Sequence, residues 1–592
     1  MTNVTHLCYI FINNYKNLSN IGLAIDPRYK FEFDPDKKVL NIERQNILPK
    51  DFWGQGIYSL TGIFGNNGAG KSTSIRFILE AIVYGSGAQS VDGIIVCEID
   101  NCLHIYRQDE DIKVTYAGDY ETTKKTDDIN PFYYSGYFVP NFNYNNMLSN
   151  QLGTYYNASI SCRFFNDIGK FANTTDDYRT IPISTYIVSY NSQNNYRICN
   201  LLIDDKLCKN IEGLKFPRYV IFGPNRGGQN HFKFHFKTNN QLKGYIKQYI
   251  EEPAFSFTDE KDKTLAQFIH HCILNGMAES AYFTNAFTLF NDWYSFLDQE
   301  KEVLPQLHEF IDTRTDKGEA RGLRIIEQVL TKLNECIRIN DFGGFYLDFN
   351  KDKKEILDLI ETAQENNIYS ATRFFDLYYS HEKNGNTTLS SGEQAMLNLF
   401  SLIYDAVVTQ AQNSYSALSL LILDEAELGF HPEWQRNFIS MLVDFVNSLS
   451  VVADHDFQII LTSHSPILLS DIPTCCCNYL EYKDKDGKTI NVKNDQPETF
   501  SNNVFELYRN SFFLQNGLIG RFAAKKIEKL ETDIKEGKDG VVQMINLIGD
   551  RRLKMYFEDL FMNSSKAKKE ENELLIKEYQ KRINKLRKQN NE

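Results

Sequence analysis

The stretch Gly65-Asn66-Asn67-Gly68-Ala69-Gly70-Lys71-Ser72 decides the fold class of this chain. It fits the pattern G-x-x-x-x-G-K-[ST] and lies between an apolar run, Tyr58–Phe64, and a helix-like run, Thr73–Tyr84. This order predicts a phosphate-binding loop, because glycines let backbone N–H groups turn inward and a helix N-terminus attracts anions. A glycine-rich turn that matches by chance is the alternative. The residues expected to bind phosphate are Gly65, Asn66, Asn67, Gly68, Ala69, Gly70, Lys71, Ser72 and Thr73.

Within this loop, two side chains have distinct expected tasks. Lys71 reaches the β- and γ-phosphates of a nucleotide, and Ser72 supplies a hydroxyl ligand for Mg²⁺. A strand followed by such a loop and a helix is typical of an α/β fold with a parallel sheet.

A second apolar run, Leu418–Leu423, ends in two adjacent acids, Asp424 and Glu425. A continuous apolar run is typical of a parallel strand that is buried on both faces. Since successive side chains of a strand point to opposite sides, Asp424 is placed to hold the Mg²⁺ shell and Glu425 to polarise an attacking water. An acidic pair alone also fits a solvated strand end, but the upstream phosphate loop favours the catalytic interpretation.

A third apolar run, Phe457–Thr462, ends in Ser463-His464-Ser465-Pro466. It follows the acidic strand by about one strand–helix–strand repeat, so we expect it to be the adjacent strand of the sheet. His464 then lies where it senses a γ-phosphate. The alternative is a surface or capping histidine, which is the more common role of a lone histidine at a strand end.

A fourth element, Leu389-Ser390-Ser391-Gly392-Glu393-Gln394, precedes a helical run, Ala395–Val408. Ser390 and Glu393 have the spacing of a capping box, in which each side chain accepts a hydrogen bond from the other residue's backbone. Taken alone, this pattern predicts a well-capped helix and nothing more.

The order of the four elements along the chain resembles the ATPase head of ABC-type proteins, in which LSSGEQ corresponds to the signature sequence. The resemblance covers residues 1–150 and 376–480. It implies an ATPase in which two heads sandwich two ATP molecules with Mg²⁺. Ser390 and Gly392 of one head would contact the γ-phosphate that Lys71 of the other head holds. Glu425 would be the general base, and His464 the switch histidine.

The segment Glu425–Gln435 and the Thr462–Pro466 run are similar to OLD-like and Septu-type ATPases within this group. The 319 positions between Lys71 and Ser390 exceed what a transporter ATPase needs, and they lack the sustained heptads of SMC arms. We therefore predict an α/β ABC-type P-loop ATPase head with a β-rich flank over residues 5–25 and 90–118. The predicted domains are 1–155 (N-terminal lobe of the head), 156–375 (mixed, mainly helical insertion), 376–512 (C-terminal lobe) and 513–592 (helical C-terminal region).

Composition limits the compartment and the partners. The 592 residues include 64 Lys and Arg against 77 Asp and Glu, a net charge of −13, which argues against a protein that coats nucleic acid indiscriminately. Eleven cysteines without a repeated spacing predict reduced thiols in the cytoplasm. Neither a secretory signal nor an apolar run of ~18 residues is visible, so we expect no membrane contact.

The resemblance also implies partners, since ATPases of this group commonly act in prokaryotic antiphage defence. The expected partners are further copies of the chain, a separate nuclease such as an HNH protein, and a retron reverse transcriptase with its RNA–DNA product. No nuclease activity of the chain's own is expected: Asp484-Lys485-Asp486 predicts a turn between the strands Tyr479–Tyr482 and Thr489–Val492 rather than a metal site.

Three other functions are weighed against this one. An SMC-like DNA maintenance or repair ATPase would need long coiled coils, and a transporter subunit would need a Q-loop glutamine, for which Phe132–Ser135 gives no single candidate. A nucleotide sensor with little turnover stays open.

Several segments carry weaker predictions. The basic, aromatic stretch 215–237, with Lys215, Arg218, Arg226, Lys233 and Lys237, fits either a local nucleic-acid contact or a solvated strand face. Gly223–Gly228 predicts a turn, and Cys475–Cys477 predicts small apolar residues of a strand. A narrow apolar stripe within 566–592 fits either a solvated helix or a docking helix. His431 is interpreted as a turn residue near the dimer seam.

Overall fold

The structure is a computed structural model, and it describes these residues: 5–84, 92–107, 109–123, 129–137, 156–160, 162, 183–208, 211–224, 246, 248–249, 260–280, 286–298, 301–314, 321–340, 344–365, 375–409, 418–483, 488–491, 498–510, 520–564 and 581. The chain divides into two units, Met1–Phe513 and Leu514–Glu592.

The first unit contains the described strands. In chain order they are β1 (His6–Tyr15), β2 (Leu18–Ala24), β3 (Tyr29–Asp34), β4 (Val39–Arg44), β5 (Ile57–Gly65), β6 (Gly93–Ile99), β7 (Cys102–Arg107), β8 (Lys113–Thr115), β9 (Tyr120–Thr123), β10 (Asn130–Ser135), β11 (Tyr156–Asn157), β12 (Tyr219–Pro224), β13 (Arg338–Ile339), β14 (Phe345–Asp348), β15 (Phe375–Ser380), β16 (Leu418–Asp424), β17 (Phe457–Ser463), β18 (Cys477–Lys483) and β19 (Lys488–Asn491).

The described α-helices lie in both units. In chain order they are α1 (Lys71–Tyr84), α2 (Ile183–Ile203), α3 (Asp205–Cys208), α4 (Glu260–Ser280), α5 (Ala286–Phe296), α6 (Val303–Asp312), α7 (Arg321–Cys336), α8 (Lys353–Glu365), α9 (Ser391–Tyr404), α10 (Pro432–Ala453), α11 (Pro466–Leu469), α12 (Val504–Asn510), α13 (Arg521–Lys535), α14 (Val541–Asn546) and α15 (Arg551–Met562).

A large mixed sheet has the strand order β11-β10-β16-β17-β5-β18-β19-β2-β1-β6-β7-β9. From β11 to β18, neighbouring strands pair in parallel. Strands β5, β16 and β17 are the three apolar runs, and their burial confirms the prediction of a parallel sheet covered on both faces. Strand β17 pairs with β16, as predicted, and also separates β16 from β5. The carboxyl ends of these three strands therefore meet at one edge.

The other half of the sheet is the predicted β-rich flank. Strands β2, β1, β6 and β7 pair in antiparallel fashion. A second sheet, with the order β3-β4-β8, shares a hydrophobic cluster with this flank that includes Tyr9, Phe31, Ile42 and Val96. These strands confirm the prediction for residues 5–25 and for the described part of 90–118.

The insertion contains both helices and strands. Its described helices include α4, α5 and α7, and β13 begins at Arg338, shortly after the end of α7. Strands β13-β14-β12-β15 form an antiparallel sheet. Because β15 (Phe375–Ser380) spans the boundary predicted at 375/376, the division between the insertion and the C-terminal lobe stays a prediction.

Two local predictions are wrong. Gly223 and Pro224 do not begin a turn; they belong to β12 and pair with Asp376 and Phe375 of β15, which extends the strand, and a proline is tolerated at such a strand end. Residues 225–228 lie outside the described residues. Cys475 and Cys476 are not strand residues either, because Thr474–Cys476 forms a 3₁₀ turn and only Cys477 opens β18.

The two strands that follow His464 in the chain form the predicted hairpin. Strands β18 and β19 pair in antiparallel register, with Lys483 opposite Lys488. Residues 484–487, which include the pair Asp484 and Asp486, lie outside the described residues.

The Leu514–Glu592 unit contains α13, α14 and α15. Their apolar side chains form a small cluster of Leu530, Ile534, Val541, Ile545 and Phe557. The stripe predicted within 566–592 lies, apart from Lys581, outside the described residues. Among the described residues of both units, no helix is both long and apolar enough to cross a membrane.

His270 in α4 makes the stability of the fold depend on pH. The side chain is buried against the Tyr249 ring, and burial lowers its pKa from 6.5 to about 4. In acid the unfolded chain takes up a proton at this position before the folded chain does, so stability is lost as the pH falls from 6.5 towards 4. We expect His270→Phe to remove on the order of 2 kcal/mol of the stability difference between pH 7 and pH 5. Urea unfolding of both proteins at the two pH values measures this, and an unchanged difference would contradict it.

Candidate functional site

The phosphate loop connects β5 to α1, as the sequence predicts. Gly65 has a φ of +153°, and a Cβ there would lie 2.1 Å from the carbonyl oxygen of Leu480, so only glycine fits between the two strands. Gly68 has a φ of +78°, and a Cβ there would meet nothing within 4 Å. The loop is therefore held tightly at its base and is open at its tip, which leaves room for a phosphate group against its backbone.

Lys71 points back into the loop from the first turn of α1. Its Nζ lies 3.2 Å from the carbonyl oxygens of Gly65 and Asn66 and 2.7 Å from Nε2 of His464. Burial lowers the pKa of Lys71 to about 8, although the nearby carboxylates counteract this effect. The structure thus brings together the lysine of the first motif and the histidine of the third.

Asp424 ends β16 and accepts hydrogen bonds from three hydroxyl groups. The donors are Ser72 at 3.2 Å, Thr462 at 2.5 Å and Tyr133 at 3.3 Å. Burial raises the pKa of Asp424, and these hydrogen bonds oppose the rise. The pair formed by the Ser72 hydroxyl and the Asp424 carboxylate offers oxygen ligands of the kind that Mg²⁺ prefers.

Glu425 follows in a left-handed conformation with a φ of +51°, which is uncommon for a residue other than glycine. Its N–H lies 3.2 Å from the carbonyl oxygen and 3.1 Å from the hydroxyl of Thr462, and these contacts hold the conformation. Its Oε1 lies 3.1 Å from Nε2 of His464, and the hydrogen bond with His464 lowers the pKa of Glu425. Glu425 is therefore a carboxylate at neutral pH, as a residue that polarises water must be.

The Ser390 segment is a capped helix start, as predicted. Ser390 Oγ accepts a hydrogen bond from the N–H of Glu393, and the Ser390 N–H donates to Glu393 Oε2 at 2.8 Å. Nε2 of His381 lies 3.1 Å from Glu393 Oε1. Among the described residues, the hydrogen bonds of Ser390 lead to Glu393 and Gln394 and not to the phosphate loop. Lys71, Asp424, Glu425 and His464 form one connected group, and Ser390 lies outside it.

Gly392 packs against the indole ring of Trp434 in α10. A Cβ on Gly392 would lie 2.4 Å from Nε1 of Trp434, which is closer than real contacts allow. We expect Gly392→Ala to displace the start of α9 and to lower ATP turnover by about tenfold, because overpacking forces side chains and backbone apart. ATP affinity at the phosphate loop should stay unchanged. Steady-state kinetics and calorimetry measure the two quantities, and a second change, Trp434→Phe, should restore part of the turnover; full activity in Gly392→Ala would contradict this packing.

The remaining predicted residues have ordinary surroundings. His431 is the N-cap of α10 and accepts a hydrogen bond from the N–H of Glu433 at 3.3 Å, in keeping with its interpretation as a turn residue. Lys215 is exposed, whereas Arg218 is bound to Asp348 at 2.9 Å. Arg226, Lys233 and Lys237 lie outside the described residues, so the suggested nucleic-acid contact stays a prediction.

A buried group of potential metal ligands in the flank is already neutralised. Cys8, Asp26 and Glu98 lie within ligand distance of one another. The guanidinium of Arg28 binds Asp26 at 2.8 Å and also contacts Glu98, and Tyr29 donates to Glu98 at 2.9 Å. The guanidinium of Arg28 thus lies where a metal ion would have to bind.

Sequence reasoning missed three residues of the site: Tyr133, Thr462 and Glu427. Tyr133 and Thr462 donate hydroxyl hydrogen bonds to Asp424. Glu427 is buried and binds the hydroxyl of Ser463. For Thr462, a polar residue at the end of an otherwise apolar strand was the available signal, whereas Glu427 lies in the turn after β16.

Comparison with known proteins covers the motifs from Ser390 to His464. Residues 242–470 match the family described as "AAA domain, putative AbiEii toxin, Type IV TA system". A stretch of 219 residues is 25% identical to the "Retron Vc95 probable ATPase" of Vibrio cholerae serotype O1 biovar El Tor; it covers 34% of this chain and 40% of that protein. The chain thus matches less than half the length of this curated relative. Part of the chain is thus similar to an AAA-type ATPase family and to a retron-associated probable ATPase, in agreement with the resemblance found in the sequence.

Proposed function

We propose that the chain is a Mg²⁺-dependent ATPase that dimerises around ATP and controls a separate effector in prokaryotic antiphage defence. One observation carries the ATPase part of this proposal. Lys71, Asp424, Glu425 and His464 come from three different parts of the sequence. At one edge of the sheet, His464 contacts both Lys71 and Glu425, and Thr462 is hydrogen-bonded to both Asp424 and Glu425.

Each of these residues has a chemical task that its surroundings support. The loop backbone from Gly65 to Thr73 and the Lys71 ammonium bind the phosphates of ATP. The carboxylate of Glu425 accepts a proton from the water that attacks the γ-phosphorus. His464, which lies between Lys71 and Glu425, orients a γ-phosphate oxygen. Arranged in this way, the residues position the reactants and stabilise charge, which is how phosphoryl transfer is mainly catalysed.

Ser72 and Asp424 are the proposed Mg²⁺ ligands. Their oxygen atoms already lie 3.2 Å apart, and Thr462 and Tyr133 fix the orientation of the carboxylate. Bound Mg²⁺ neutralises charge on the β- and γ-phosphates. The test of this assignment is that chelation with EDTA abolishes ATP hydrolysis by the purified chain; hydrolysis that persists in EDTA would exclude it.

Dimerisation is proposed because Ser390 and Gly392 are outside the connected group of catalytic residues. The Ser390 side chain forms a cap on its own helix, and the LSSGEQ segment then needs a second copy to meet a γ-phosphate. This arrangement is the ATP sandwich implied by the resemblance to ABC-type heads, and the signature roles of Ser390 and Gly392 depend on it.

The defence role is supported by the printed description of the relative, a probable ATPase of a retron. We propose that the effector is a separate nuclease, such as an HNH protein, and that a retron reverse transcriptase with RNA–DNA is a further partner. Co-purification from cells that express the neighbouring genes tests this proposal. A nucleotide sensor with little turnover is the second candidate function. A hydrogen bond between His464 and Glu425 that persists in the ATP-bound protein would favour this second function.

A further inference from the structure

Glu427 is a buried acid two residues beyond the proposed general base. Only 6% of its surface is exposed. Its carboxyl group accepts a hydrogen bond from the hydroxyl of Ser463; burial raises the pKa of Glu427, and the hydroxyl of Ser463 and the backbone N–H of His464 oppose this rise by favouring the charged form. A buried carboxylate is costly unless it is hydrogen-bonded, and both donors come from the loop that carries the switch histidine.

The residue that follows His464, Ser465, is also held by hydrogen bonds. The N–H of Ser465 donates to Ser463 Oγ at 2.8 Å, and the hydroxyl of Ser465 donates to Gln435 Oε1 at 2.7 Å. The amide of Gln435 donates in turn to the carbonyl oxygen of Phe430 at 3.0 Å. The residues before and after His464 are thus both fixed to the turn that follows β16.

This turn also carries Glu425. The N–H of Leu428 donates to the carbonyl oxygen of Glu425 at 3.1 Å, and the N–H of Phe430 donates to that of Glu427 at 3.0 Å. One short, hydrogen-bonded turn therefore presents Glu425 to the reaction and Glu427 to the histidine loop. Glu425 contacts the ring of His464 directly, and Glu427 binds the residue that precedes His464.

We propose that Glu427 is a positioning residue that sets the place of the His464 ring relative to Glu425 and to the γ-phosphate of ATP. It acts through Ser463 and the backbone of His464, and it does not touch ATP itself. The inference rests on the proposed function, because it assumes that His464 contacts the γ-phosphate. A merely structural role for Glu427 would affect folding stability without a selective effect on the γ-phosphate.

The test compares affinities for two ligands in the full chain. Calorimetry with Mg²⁺ gives the dissociation constants of ADP and of the slowly hydrolysed ATP analogue AMP-PNP, and their ratio reports recognition of the γ-phosphate. We expect Glu427→Ala and His464→Ala each to lower this preference for the triphosphate by about tenfold. The double variant should lose no more than His464→Ala alone, because both changes remove the same contact.

Two further variants separate positioning from folding. Glu427→Gln keeps an oxygen that accepts the Ser463 hydrogen bond, so we expect it to restore most of the triphosphate preference. Ser463→Ala removes the hydroxyl donor and leaves the carboxylate, and it should lower the preference even if Glu427→Ala does not fold. Glu433→Ala, which removes an exposed acid that binds Arg436, is the matched control and should leave the ratio unchanged.

The outcomes distinguish this inference from the proposed function. An unchanged ratio in both Glu427→Ala and Ser463→Ala, or fully additive losses in the double variant, would overturn the positioning role even where the unmodified protein hydrolyses ATP. A ratio that falls as expected in a protein without measurable turnover would keep the positioning role and refute the proposed hydrolysis.

Discussion

Lys71→Ala lowers the affinity of the chain for Mg²⁺–ATP by about 100-fold, the largest loss of binding that we expect from one substitution. The Lys71 ammonium is buried inside the phosphate loop, where a charge-assisted hydrogen bond to phosphate is stronger than in water. Its present partners are the carbonyl oxygens of Gly65 and Asn66 and the ring of His464, and we expect an incoming phosphate to replace them. Calorimetric titration with AMP-PNP measures the effect.

The control for this prediction is Lys37→Ala. Lys37 is an exposed lysine that binds Asp34 on the flank, and its loss should leave the affinity unchanged. Circular dichroism shows whether both variants fold equally well. An affinity of Lys71→Ala within about threefold of the original value would mean that the phosphates bind elsewhere.

Glu425→Gln lowers the rate of ATP hydrolysis by roughly 10²–10³-fold, while ATP affinity is kept or increased. An amide has the shape of the carboxylate but does not accept a proton from the attacking water. The substitution leaves the Thr462 hydrogen bonds to the backbone of residue 425 in place, so the left-handed conformation should persist. Single-turnover measurements separate the chemical step from product release.

Glu32→Gln is the matched control, since Glu32 is exposed and binds Lys30 on the flank. It should hydrolyse ATP at the original rate. If Glu425→Gln also retains most of the original rate, another residue activates the water, and Asp424 would be the next to examine.

The phosphate loop and the two strand ends of the site could be predicted because their sequence signals are local. Fixed residues between a strand and a helix predicted the loop around Lys71, and mainly apolar runs predicted the strands that end at Asp424 and Ser463. The parallel pairing of β16 with β17 then followed from one strand–helix–strand spacing. No contact between distant segments was needed for these conclusions.

The remaining parts depend on contacts between segments that lie far apart in the sequence. Tyr133 and Asp424 are separated by 291 positions, so no local pattern predicts that they meet. The same reason explains why the turn predicted at Gly223 is wrong, since the partner strand of that segment begins at Phe375. Glu427 was missed because a buried acid and an exposed one look alike in a sequence.

The central claim is that one copy of the chain supplies Lys71 and a second copy supplies Ser390 to the same ATP. Mixing two inactive variants tests it most directly. Lys71→Ala has a defective phosphate loop but an intact signature, and Ser390→Arg blocks the signature but has an intact phosphate loop. If the sites are shared, random pairing restores one complete site in each mixed dimer, and the mixture should reach about a quarter of the original ATP turnover. A mixture no more active than the two variants measured separately would contradict the shared site.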